Sequence, residues 1–101
     1  MQKFNSPRIK CREDILRYLK QRRILNKSVV CFLDNGNRLF NHRIIKSIYP
    51  TNKNIFFPAI KYGSNDIIIY TTRKHHSNLF LEDLEKFSHL LHIKIVDLMF
   101  Y

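Results

Sequence analysis

The chain has 101 residues, 45% of them apolar, only two glycines and three prolines, and a net charge of +10. This composition excludes disordered and fibrous proteins, and the length gives one domain, 1–101, with a single core. No apolar run approaches the roughly 20 residues that span a bilayer. The opening "MQKFNSPRIKCRED" lacks the apolar segment of a secretory leader, so the expectation is a cytoplasmic protein with no membrane partner. Cys11 and Cys31 form no C-x-x-C pair, which fits reduced thiols.

Residues 11–23, "CREDILRYLKQRR", place Ile15, Leu16 and Leu19 at helical spacing, with acids in the first turn and arginines in the last. "SVVCFL" and "RLFNHRIIKSI" read as two strands around "DNGN". There Asn35-Gly36 is expected to supply the positive φ values of a tight antiparallel hairpin. "TNKNIFFPAIKYG" reads as a helix capped by Thr51 and ended by Gly63, kinked or broken near Pro58, which lacks a backbone donor.

"NDIIIYTT" has the continuous apolar pattern of a strand covered on both faces, hence a central one. "SNLFLEDLEKFSHLLH", with Ser77 or Asn78 as cap and Leu84, Phe87 and Leu91 at helical spacing, reads as a helix, and "IKIVDLMFY" as a closing strand. The order αββαβαβ describes a small α/β domain: a mixed sheet containing an antiparallel hairpin, flanked by helices.

Charge is unevenly placed: residues 1–50 carry twelve Lys/Arg and three acids, and residues 51–101 carry six and five. The positive field belongs to the N-terminal half and suits nucleic acid or another acidic partner. Arg17, Lys20, Arg22, Arg23 and Lys27 run along the first helix and past its end. They are either a solvated helix face or a phosphate-contacting surface, and Arg73 and Lys74 are further candidates. No aromatic residues alternate with these charges, so the pattern does not call for base stacking.

Taken in order, "PRIKCREDILRYLK", "VVCFLDNGNRLFNH", "IYPTNKNIFFPAIKYGSNDIIIY" and "LLHIKIVDLMF" resemble the RadC-like JAB/MPN domain, a relative of the JAMM metallopeptidases, over residues 7–100. The resemblance implies a cytidine deaminase-like architecture and an association with DNA repair. It also implies a zinc centre built from His-x-His-Pro-Ser-Gly after the buried strand and an aspartate at the next helix. Zinc takes neutral imidazole and carboxylate, and a catalytic site keeps a fourth position open for water.

This chain departs from that signature. Without gaps, Thr71 and Arg73 stand where the two imidazoles would lie. Shifted by two residues, Arg73, Lys74, His75, His76 and Ser77 meet His-x-His-Pro-Ser and recover one histidine. Asn78 takes the aspartate's place, with Asp83 as the substitute if the gap lies elsewhere, and Arg43 and Ile44 stand where many relatives carry an acid.

Two cations beside Zn²⁺ add repulsion of about 4 kcal/mol per unit-charge pair at 4 Å and an effective dielectric near 20. The expectation is therefore a degenerate member with no metal, no cofactor and no metallohydrolase activity, which acts by binding nucleic acid or a protein partner. The alternative is a zinc-dependent hydrolase with a rearranged site.

Other constellations are weaker. His75 and His76 are adjacent on an extended segment and point apart. His89 and His92 are three apart on a helix, a spacing that can hold metal from one face, with no acid or thiol evident near them. No Ser-His-Asp or Cys-His set assembles, and no phosphate-cradling glycine loop is present. If the closing strand lies at the sheet edge, it offers a surface for a homodimer or a protein partner.

Overall fold

The computed structural model describes residues 6–46, 52–72 and 78–101, with the side chains of 52, 53, 78 and 79 left aside. Its elements are α1 (Arg12–Gln21), β1 (Ser28–Leu33), β2 (Leu39–Ile45), α2 (Asn52–Tyr62), β3 (Asp66–Thr71), α3 (Asn78–Leu91) and β4 (Lys94–Phe100). The sheet order is β2-β1-β3-β4. Strand β1 is antiparallel to both of its neighbours, and β3 runs parallel to β4. The chain is thus a small α/β domain with three helices and a four-stranded mixed sheet, in the element order read from the sequence.

Alternation along the two central strands divides the core. Val29, Cys31 and Leu33 of β1 and Ile68 and Tyr70 of β3 pack with Ile15, Tyr18 and Leu19 of α1. Val30, Phe32, Ile67 and Ile69 face the other way, against Ile55, Phe56 and Ala59 of α2 and Leu84 of α3. Period-two side-chain direction makes both faces of β1 and β3 apolar, which is why their sequences run without a polar break. The parallel β3–β4 pair is bridged by α3, as a parallel connection requires.

Several local expectations change. Leu16 is 38% exposed, and Tyr18 takes the buried place beside Ile15 and Leu19. In the hairpin turn the left-handed residue is Asn37 (φ 60), not Gly36. The turn closes when the Asn37 N–H donates to the Asp34 carbonyl (3.0 Å), while the Asp34 carboxylate accepts from the N–H groups of Gly36 (2.8 Å) and Arg38 (3.0 Å). An aspartate turn of this kind replaces the two-residue turn that Asn-Gly suggests.

Helix α2 runs unbroken through Pro58. The lost backbone bond and ring clash cost about 3 kcal/mol. Burial of the Pro58 ring itself, together with Ile55, Phe56 and Ala59, offsets that cost. Thr51 and Ser77, read as helix caps, lie outside the described residues.

All three helices end in the same way. The N–H groups of Ile24, Ser64 and Ile93 reach back to the carbonyls of Leu19, Ala59 and Ser88, at 3.0, 2.8 and 3.1 Å. The residue before each is left-handed: Arg23 (φ 58), Gly63 (φ 72) and His92 (φ 56). These are Schellman closures, which satisfy the last helical carbonyls and turn the chain sharply back to the sheet.

Candidate nucleic-acid interface

The closure of α1 decides where its charges go. The chain reverses at Arg23 and buries Ile24, and Lys20, Arg22, Arg23 and Lys27, in and just past the last turn of α1, are all exposed. Cations there complement the helix dipole. Arg22 lies over the Tyr18 ring, 3.6 Å from its centroid, and donates to the Tyr18 carbonyl at 3.3 Å. Arg17 points along the helix to Asp14, at 3.2 Å. Two of the five candidates thus have intramolecular partners, while Lys20, Arg23 and Lys27 remain as solvent-facing cations.

Asp14 also accepts the N–H groups of Lys10 (2.8 Å) and Cys11 (3.3 Å), and the first of these holds its carboxyl below the usual range. At the same end of α1, Arg12 grips Asp97 of β4 with two bonds, of 2.6 and 2.7 Å, that lower the Asp97 pKa and pin the helix to the edge strand. Arg73 and Lys74, the remaining nucleic-acid candidates, lie outside the described residues, as do His75 and His76.

The described residues do not by themselves supply the zinc centre that the resemblance implies. Thr71 is fully buried at the end of β3, its hydroxyl 2.8 Å from that of Ser28. Asn78 opens α3 and Asp83 is exposed on it. Among the described residues, no three His, Cys, Asp or Glu side chains come together. The His89–His92 spacing also changes meaning. His92 has left the helix in a left-handed conformation, and His89 has a carboxylate neighbour after all, Glu85, at 4.0 Å.

One polar cluster was not visible in the sequence. The Tyr18 hydroxyl lies 2.6 Å from His42 Nδ1, the rings meeting edge to face, and His42 stands opposite Cys31 in the β1–β2 register. Burial lowers the His42 pKa, and the nearby Arg22 charge lowers it further, which favours the neutral imidazole; its tautomer sets which partner of the Tyr18–His42 bond donates. Burial pushes the Cys31 thiol up to about 12, which leaves it inert as a nucleophile. The cluster closes the α1 side of the sheet; neither its geometry nor its charge suits a nucleophilic centre.

Three further arginines complete the picture, of which the sequence had singled out only Arg43. Arg8 and Arg38 face one another across an antiparallel bridge, and Arg43 on β2 donates to the Tyr62 hydroxyl at 3.4 Å. The overall charge of the N-terminal half announced an excess, but only pairing between residues 30 positions apart brings Arg8 to Arg38.

No protein-family model matches the chain, and no curated protein matches it. No described helix is long and apolar enough to cross a membrane.

Proposed function

We propose that this chain is a RadC-like JAB/MPN-fold protein that binds nucleic acid through the basic end of α1 and does not work as a metallohydrolase. The observation that carries the binding reading is the exposure of Lys20, Arg22, Arg23 and Lys27 in and just past the last turn of α1. Its cations would neutralise phosphates without reading sequence. The hairpin, the central β3 and the αββαβαβ order support the fold part, and the buried Thr71–Ser28 hydroxyl pair supports the lack of hydrolase chemistry.

The test is fluorescence anisotropy with single- and double-stranded DNA and RNA. Binding is expected at micromolar Kd near 50 mM salt and should weaken steeply as salt rises, because released counterions drive it. Lys20→Glu with Lys27→Glu is the informative variant, since neither side chain has a structural partner of the kind Arg22 finds on Tyr18. It should weaken binding at least tenfold. Absence of any binding near 50 mM salt overturns the reading.

A protein partner is the second reading, favoured by the place of β4 at the sheet edge with Val96 and Tyr101 exposed at 43% and 47%.

A further inference from the structure

The end of the sheet that carries the β1–β2 turn holds a cleft of about 240 Å³. Two of its walls are aromatic: Phe40 from β2, and Tyr62 from the last turn of α2, whose ring packs at 5.3 Å against Phe32. Two more are the exposed amides Asn35 and Asn65. Asp34 also lines the cleft, but one carboxylate oxygen is committed to the turn, holding the N–H groups of Gly36 and Arg38. The volume is below the roughly 300–1,000 Å³ that takes drug-sized ligands, so it fits one flat ring system and little more.

Arg38, whose N–H is held by the lining residue Asp34 at 3.0 Å, has a second positive charge facing it. The Ile9 N–H donates to the Asn37 carbonyl (2.8 Å) and the Leu39 N–H to the Pro7 carbonyl (2.9 Å), which makes Arg8 and Arg38 the close, non-hydrogen-bonded pair of the bridge. Ile9 and Leu39 pack into the α1 side of the core, so alternation sends Arg8 and Arg38 to the opposite face, the one that α2 covers. Arg43 is on that face too, bonded to the Tyr62 hydroxyl.

Like charges directly opposite one another destabilise a strand pair. None of the ion pairs among the described residues involves these three arginines. An anion shared between Arg8 and Arg38 would turn that repulsion into binding.

We propose that this cleft binds a nucleotide, with its base against Phe40 and Tyr62 and its phosphate on Arg8, Arg38 and Arg43. Aromatic walls stack any base, amides offer both donors and acceptors to a base edge, and guanidinium groups match phosphate oxygens in pairs. The inference deepens the nucleic-acid reading by naming a nucleotide-sized site on another face, and it stands even if the α1 surface binds nothing. The nucleotide would be either free or the unstacked end of a single strand.

The experiment is an amide chemical-shift titration of the full chain with nucleoside 5′-monophosphates, the matching nucleosides, 5′-phosphorylated single strands and inorganic phosphate. A monophosphate should move the resonances of Asn35, Gly36, Gly63 and Asn65. Arg8→Gln with Arg38→Gln should weaken this at least tenfold yet melt no lower than the parent, since it removes facing charges. Asn65→Ala, at an exposed position, provides an independent check on the base contact and should also weaken binding.

Lys20→Glu with Lys27→Glu should leave the cleft shifts unchanged. Tighter binding of phosphorylated strands than of monophosphates supports a strand end as the ligand, and equal binding supports a free nucleotide. No movement at these amides at millimolar nucleotide overturns the proposal, whether or not residues 20–27 respond. Equal movement with inorganic phosphate alone also overturns it, by reducing the site to an anion contact.

Discussion

Arg23 and His92 hold backbone conformations that cost an ordinary residue about 1–2 kcal/mol and cost glycine almost nothing. The chain tolerates them because each closure sends an isoleucine, Ile24 or Ile93, into the core at 6% and 2% exposure. His92→Gly should therefore raise stability by about 1 kcal/mol in a denaturant titration. Arg23→Gly should gain less, since it also removes a cation from the helix C-terminus.

Gly63 does the same task at the end of α2, and there the sequence signal was plain. At Arg23 and His92 it was hidden, because neither residue type advertises a left-handed turn. The left-handed residue of the hairpin, expected within Asn35-Gly36, lies at Asn37 for a related reason. Asn-Gly is the stronger hairpin signal locally, but the Asp34 side chain captures the turn's donors and shifts the left-handed position by one residue.

At the scale of elements, all seven were legible from periodicity and punctuation. What periodicity could not weigh was tertiary compensation. Pro58 in an isolated helix would end it, but here its ring is buried, and Ile55, Phe56 and Ala59 hold the flanking turns against the sheet. Pro58→Ala should restore a donor toward the Asn54 carbonyl while losing buried methylenes. With the propensity gain near 3 kcal/mol and each methylene near 0.8, a net stabilisation of about 1 kcal/mol is expected. Thermal melting of this one variant checks it, and a clear loss would mean that the ring's packing outweighs the missing bond.

Across the whole molecule, long-range polar contacts tie α1 to both edges of the sheet, through Tyr18–His42 on β2 and Arg12–Asp97 on β4. Both make stability depend on pH in the same direction. The folded state lowers the His42 pKa, so below about 6.5 the unfolded chain binds the proton more readily and stability falls with pH. The folded state also lowers the Asp97 pKa, so its contribution is present above the ordinary carboxylate range near 4 and is lost as pH falls from there through the lowered folded value. Denaturant titrations from pH 8 to pH 3 should show a plateau above about 7 and two successive declines. His42→Gln should remove the first decline and leave the second.

By itself, the sequence determined the α/β class, the element order and the excess of positive charge in the first fifty residues, because hydrophobic period and net charge are properties of short windows. Tertiary structure alone decided which cations are solvent-facing and which are engaged, as with Arg22 on Tyr18 and Arg12 on Asp97. It alone set Arg8 against Arg38. Those contacts join residues far apart in the chain, and strand register, which no local window encodes, fixes where they meet.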